Sequence, residues 1–281
     1  MSVRTGVFLA MTVLLVLRPG SGAQAARQAL GIWGLDVVPS LFPYMVLCRL
    51  LSERLRCARL PAAPAAALLG LLGGSPAGAS VLAAYAGSLP HSVLLPLCAL
   101  TGTISPMFFL GTMDAWLSDS SLCRMLLASH WAGAACAAAA VRLLARTGKA
   151  EPVRPAQATC PGGAIAQSVQ AILSVGGCIV FFSVAAEMVR SLPFVGALSG
   201  ALMHAGLEVA GGMHALSAVP CAAHTRAVLL AASGGFAGLS ILAQNLVFLR
   251  PLGVSLLALA GIAVLRALFA ALAMAIMLAV C

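Results

Sequence analysis

One apolar segment of the chain is interrupted at its centre by residues that do not continue a helix. Residues 60–89 are almost entirely apolar, and residues 73–78 read Gly-Gly-Ser-Pro-Ala-Gly. Proline lacks a backbone donor and glycine weakens a helix, so two arms are expected, over residues 62–72 and 77–88. Each arm spans roughly 17 Å, about half of a ~30 Å hydrocarbon core. The segment predicts a re-entrant hairpin, whose broken backbone requires cover from protein or a water-filled cavity.

The composition places the whole chain in a membrane. Of its 281 residues, 62% are hydrophobic and 8% are charged, which predicts an all-α polytopic membrane protein and excludes a soluble domain. The net charge of +9 does not indicate nucleic-acid binding, because the basic residues lie at segment ends without interleaved aromatic residues. The nine cysteines lack C-x-x-C spacing and are interpreted as packing residues. No cofactor and no enzyme motif is indicated.

The distribution of basic residues predicts the topology. Two loops hold half of them: Arg49, Arg54, Arg56 and Arg59, then Arg142, Arg146, Lys149 and Arg154. The positive-inside rule places both loops in the cytoplasm. Between them, a hairpin over residues 62–88 returns to its own side, residues 91–118 cross outward and residues 121–145 cross back. After them, residues 164–190 cross outward, residues 193–219 form a second hairpin, residues 221–248 cross inward and residues 254–280 cross outward.

The predicted domains follow from this topology. Residues 1–22 are an N-terminal membrane helix or a signal peptide, and retention as a helix is favoured. Residues 23–145 form a first repeat, in which residues 23–36 lie along the interface and residues 37–51 enter the membrane, kinked by Pro39 and Pro43. Residues 146–163 are a cytoplasmic linker, and residues 164–281 form the second repeat.

An internal duplication is indicated by two matches at the same offset. Residues 77–78 and 210–211 both read Ala-Gly, and Gly102 matches Gly235, each pair 133 residues apart. The two hairpins open from opposite sides of the membrane in the predicted topology. An inverted-topology repeat is therefore expected, with its binding site near the midplane between discontinuous helices.

Four helix breaks are expected at that depth, over residues 73–78, 101–106, 206–212 and 233–238. The candidate substrate-binding residues are Ser75, Pro76, Gly78, Thr101, Thr103, Ser105, Glu208, Gly211, Ser233, Gly235 and Ser240. Free helix-end amides and hydroxyl groups are suited to carboxylates, and Glu208 is suited to coupling a proton or a cation. The alternative is that the glycines only permit close helix packing. His204 and His214 flank Glu208, but their spacing is not that of a known metal site.

Glu187 is the other carboxylate inside an apolar segment, and it precedes Arg190 by three residues. An interfacial ion pair is expected there. Gln244 and Asn245 follow the last break and are candidates for lining the site or a pore wall.

Five motifs in order resemble a known family. They are GLLGGSPAGA at 70–79, SPMFFLGT at 105–112, GGCIVFFS at 176–183, GLEVAG at 206–211 and GFAGLSILAQ at 235–244. They resemble the bacterial sporulation integral membrane protein family called YlbJ, or stage V sporulation protein SpoVV, over roughly residues 30–250. The resemblance implies a nucleoside-recognition or gate domain, similar to concentrative nucleoside transporters with their inverted hairpin repeats. It also implies movement of dipicolinate across the outer forespore membrane.

The first function expected is therefore a transporter-like protein for a small anionic metabolite, dipicolinate above others, in the cell membrane of a sporulating cell. Expected partners are the anionic substrate, the lipid bilayer, and a second copy or other sporulation membrane proteins. Nucleoside or nucleobase transport is the second reading. The third is a membrane assembly factor that transports nothing.

Overall fold

The computed structural model describes residues 3–57, 61–144, 163–190 and 195–280. Almost all of the linker predicted for residues 146–163 lies outside the described residues. So do several basic residues used to predict the topology: Arg59, Arg146, Lys149 and Arg154.

The described residues are helical, with short connections. The first half contains α1 (Val3–Leu17), α2 (Pro19–Gly31), a π-helix (Ile32–Val37), α3 (Val38–Cys57), α4 (Ala62–Gly73), α5 (Ala77–Tyr85), α6 (His91–Thr101), a second π-helix (Phe108–Met113), α7 (Asp114–Leu117) and α8 (Ser120–Leu144). The second half contains α9 (Ala164–Arg190), α10 (Ala197–Leu207), α11 (Val209–Ser217), α12 (Ala223–Phe236), α13 (Gly238–Leu249) and α14 (Leu256–Val280).

Five helical stretches are long and apolar enough to cross a membrane: Pro19–Leu51, Ser120–Leu144, Ala164–Arg190, Ala223–Leu252 and Leu256–Val280. Their large apolar side chains are partly turned outward, as in α14, where Leu257 is 84% exposed. Outward apolar side chains on long helices are suited to lipid contact. The protein is therefore a multi-pass α-helical membrane protein.

The first repeat begins with one continuous helical stretch. Residues 23–36 were expected along the interface, before a membrane helix over residues 37–51. The structure joins α2, the first π-helix and α3 without a break, and Pro19–Leu51 forms one candidate span. The π-helix ends two residues before Pro39, which has no backbone donor.

The packing leaves a polar centre between apolar clusters. Helices α8, α12 and α14 pack against one another, while α4 packs against both α5 and α6. Helix α10 packs against α11 and α9, and α13 contacts both α5 and α9. The α5–α13 contact brings a helix that follows one break in the first half against a helix that follows another break in the second half.

Each of the four expected breaks contains an interruption, and all four are narrower than predicted, the third and fourth most of all. The first and second interrupt the helices over residues 74–76 and 102–105. The third is Glu208 alone, because Gly206 lies within α10 and residues 209–212 belong to α11. The fourth is Ala237, which has a left-handed φ of 67°. Helix α12 extends to Phe236, so Ser233 and Gly235 lie inside it.

Candidate binding site

The first break is fixed by two contacts to distant segments. The backbone N–H of Ser75 donates to the oxygen of Thr103 at 2.6 Å. Asn245 Nδ2 donates to Ser75 Oγ at 3.0 Å. Gly74, with φ of 61°, lies so close to the backbone of Ser105 that a Cβ would overlap it. Glycine is therefore required here both for the left-handed backbone and for the close approach of the second break.

The second break is held by side chains from two other helices. The oxygen of Gly102 accepts a hydrogen bond from Arg266 Nη1 on α14. The backbone N–H of Ile104 donates to His130 Nε2 on α8 at 3.1 Å. Buried backbone groups that leave a helix need such partners. These contacts fix the unwound segment so that Ser105, which is 2% exposed, lies at the cavity described below.

The third break is capped by its own carboxylate. Glu208 Oε1 accepts from the amide of Ala210 at 2.9 Å, and Oε2 accepts from the amide of Gly211 at 2.6 Å. These amides were expected to be free for a substrate carboxylate, but Glu208 occupies them. A carboxylate at a helix N-terminus is stabilised both by these hydrogen bonds and by the helix dipole.

The fourth break is followed by two polar side chains of α13 that face the cavity. Ser240, which is 1% exposed, and Gln244, which is 4% exposed, both lie on α13 and face the same cavity. Ser240 Oγ has no hydrogen-bond partner among the described residues, and the same holds for Ser105 Oγ. Two unsatisfied hydroxyl groups facing one cavity favour a bound water or ligand there.

A cavity of about 50 Å³ lies between the first three breaks and α13. Its polar wall consists of Ser75, Ser105, Glu208, Ser240 and Gln244. Its apolar wall consists of Val37, Leu41, Ile104, Phe108, Val175, Ile179, Val209, Ala210 and Ile241. The cavity is far smaller than the roughly 300–1,000 Å³ of typical ligand pockets. In this conformation the space therefore holds water but not a metabolite.

Four of the eleven predicted site residues line this cavity: Ser75, Ser105 and Glu208 from the first three breaks, and Ser240 from the first turn of α13. The seven others do not: Pro76, Gly78, Thr101, Thr103, Gly211, Ser233 and Gly235. Both threonines donate to carbonyl oxygens of α6, Thr101 to Leu97 at 2.9 Å and Thr103 to Leu100 at 3.1 Å. Their hydroxyl groups therefore bind the backbone near the second break and do not line the cavity.

Two of the predicted glycines serve packing, as the alternative reading held. A Cβ on Gly78 would overlap the oxygen of Thr101 and stand 3.0 Å from the oxygen of Gly70. A Cβ on Gly235 would stand 2.7 Å from the oxygen of Arg266 and 2.7 Å from the Cα of Ala267. These glycines allow backbones to approach closely, as small residues do between membrane helices.

The acidic and basic residues outside the site fall into separate arrangements. The expected ion pair is present, because Arg190 Nη2 lies 2.7 Å from Glu187 Oε2. The two histidines that flank Glu208 point to different neighbours. His204 Nε2 is 3.5 Å from Ser183 Oγ, and the ring of His214 meets the edge of Trp116 at 4.8 Å between centroids.

Sequence reasoning missed two buried residues, His130 and Arg266. Arg266 is the only charged residue among the 25 of α14, and an isolated charge within an apolar span is a functional candidate by default. That signal was available in the sequence. His130 offered no comparable signal, because a single histidine in an apolar helix is commonly a packing residue.

Together these features define a polytopic α-helical membrane protein with a small cavity, polar on one wall and apolar on the other, between interrupted helices. The chain is a distant homologue of the sporulation integral membrane protein YlbJ of Bacillus subtilis (strain 168). The two are 24% identical over 298 residues, which cover 84% of this chain and 72% of the relative. No family model matches the chain, and no solved structure matches it. The homologue supports the resemblance at the level of the family and relates this membrane protein to sporulation.

Proposed function

We propose that this protein is a transporter-like permease that moves a small anionic metabolite, dipicolinate above others, across the outer forespore membrane. The observation that carries the proposal is that three helix breaks and the start of α13 contribute polar side chains to one cavity. Ser75, Ser105 and Glu208 belong to the breaks, and Ser240 lies in the first turn of α13. Interrupted helices around a central site are characteristic of secondary transporters.

An inverted repeat is part of this proposal. The element order supports it, because a hairpin, a broken crossing and a long helix follow one another in each half of the chain. Helices α5 and α11 both have nine residues, and α8 and α14 both have 25. The members of these pairs begin 132 and 136 residues apart, close to the offset of 133 read from the sequence. The α4–α5 and α10–α11 pairs are then two re-entrant hairpins that enter from opposite sides.

The small cavity sets a condition on the mechanism. A metabolite requires more room than about 50 Å³, so one hairpin must move away from its neighbours to admit it. Ser105 and Ser240, whose hydroxyl groups have no partners among the described residues, then donate to the carboxylates. When Glu208 releases the α11 amides, a carboxylate of the ligand takes the place of the Glu208 carboxylate at that helix terminus.

The test is uptake of labelled dipicolinate by proteoliposomes that contain the purified full-length protein. Uptake above that of empty liposomes is expected, with competition by unlabelled dipicolinate and none by uridine. Competition by uridine would favour the nucleoside reading instead. Glu208→Gln is expected to abolish uptake, and full uptake by this variant would reject the coupling role of Glu208.

A second candidate function is an assembly factor that holds partner membrane proteins. The observation that favours it is the small size of the cavity, which has no room for a metabolite in this conformation. Complementation of a deletion strain separates the two functions. A chain with bulky residues at positions 75 and 105 is expected to fail as a permease, and full restoration of spore dipicolinate by it would favour the assembly role.

A further inference from the structure

Arg266 is a buried cation at the centre of the last membrane helix. Its side chain is 2% exposed, and it is the only charged residue of α14. Nη1 donates to the oxygen of Gly102, whereas Nε has no hydrogen-bond partner among the described residues. An arginine in this position is expensive to bury and is retained where it acts on an ion or a substrate.

No carboxylate in the described part of the chain compensates this charge. The ion pair that the structure describes, Arg190–Glu187, lies at the end of α9. Glu208 is the only acidic side chain described as buried, and both of its oxygens are engaged by amides of α11. The interior therefore holds a guanidinium whose single hydrogen bond goes to a neutral backbone carbonyl.

The guanidinium contacts a segment that contributes to the wall of the cavity. Arg266 Nη1 and Asn245 Nδ2 each stand 3.2 Å from the point where a Cβ on Gly102 would lie. The same Asn245 Nδ2 donates to Ser75 Oγ, which belongs to the cavity wall. Arg266 thus holds Gly102 at one end of the unwound segment 102–105, and Ser105 at its other end lines the cavity.

Two other buried polar atoms near Gly102 also lack hydrogen-bond partners among the described residues. His130 Nε2 accepts from the amide of Ile104, so the neutral ring carries its proton on Nδ1, which has no partner among the described residues. Asn245 Oδ1 likewise has none. Buried polar atoms without partners are rare in folded proteins, and their concentration around one break points to a ligand or water site.

We propose that Arg266 is the fixed positive charge that makes the cavity selective for carboxylates over neutral ligands of the same shape. This inference rests on the proposed function and names its substrate class. In this conformation the charge acts through the segment 102–105, where little water screens it. When that segment moves, the planar guanidinium reaches the carboxylate and binds it with two parallel hydrogen bonds.

The test compares matched ligands that differ only in charge. Binding of dipicolinate and of pyridine-2,6-dicarboxamide is measured on the full-length protein in nanodiscs, and a second pair is benzoate and benzamide. The wild type is expected to prefer each carboxylate by about tenfold or more, as one weakly screened charge allows. R266Q is expected to lose that preference while it still binds the amides, and R266K to keep part of it.

Two further variants make the result specific. Asn245→Asp places a carboxylate beside Arg266 without removing it, so it is expected to erase the preference even if R266Q fails to fold. Arg250→Gln removes a charge at an exposed position at the end of α13, and it is expected to behave as the wild type.

The outcomes distinguish this inference from the function on which it rests. Equal loss of affinity for carboxylate and amide in R266Q, or no preference in the wild type, would overturn the role of Arg266. A preference that depends on Arg266 in both ligand pairs would sustain that role even if proteoliposomes transport no dipicolinate. Absence of dipicolinate uptake by the proteoliposomes would instead reject dipicolinate transport.

Discussion

Replacing Glu208 by alanine removes the acceptors of two buried amides, those of Ala210 and Gly211. The hydrogen bonds measure 2.9 and 2.6 Å. A buried donor without a partner costs about 1–3 kcal/mol, so the free energy of unfolding is expected to fall by about 2–6 kcal/mol. The adjoining cavity favours the lower part of this range, because water that enters it can hydrogen-bond the freed amides. Glu208→Gln keeps one acceptor and is expected to lose roughly half as much.

The measurement is equilibrium unfolding of the purified protein in mixed micelles, with each variant compared to the wild type. Glu187→Ala is the matched control, because it removes a glutamate from an ion pair whose arginine side chain is 58% exposed. A partly exposed pair of this kind is worth about 0–1 kcal/mol. Equal stability of the Glu208→Ala and Glu187→Ala variants would refute the assignment of Glu208 as the cap of α11.

Two other predictions test packing and orientation. Gly78→Ala places a Cβ against Thr101 and should lower the free energy of unfolding by about 1–3 kcal/mol. Gly261 has open space around it, so Gly261→Ala should raise the free energy of unfolding by up to ~1 kcal/mol. Equal effects of the two substitutions would contradict the close contact at Gly78. Cys221, partly exposed between α11 and α12, should react with an impermeant maleimide from the outer side in a chain that keeps this cysteine alone. Modification only from the cytoplasmic side would reverse the predicted orientation.

The breaks illustrate what local sequence can predict. Gly74 and Pro76 predicted an interruption where α4 ends and α5 begins, since backbone geometry at those residues is a local property. The third and fourth breaks were predicted too wide. Gly212 and Gly235 remain helical because each fits against another backbone, Ala205 for the first and Ala267 for the second. A glycine that ends a helix and a glycine that admits a neighbour look alike until the neighbour is known.

The site itself was predicted only in part. Polarity near the breaks identified Ser75, Ser105, Glu208 and Ser240, which line the cavity. The same rule also selected Thr101 and Thr103, whose hydroxyl groups donate to carbonyl oxygens of α6. Rotation about the helix axis decides between these outcomes, and that rotation is set by packing against distant segments.

The sequence by itself determined that the chain is a multi-pass membrane protein and where its helices are interrupted. Hydropathy and backbone chemistry act over a few neighbouring residues, so both can be read along the chain. Only the tertiary structure decided that Glu208 caps its own helix, that Arg266 holds Gly102 from 164 residues away, and that three breaks and α13 line one cavity. Those relations depend on how separate helices pack, which no local pattern specifies.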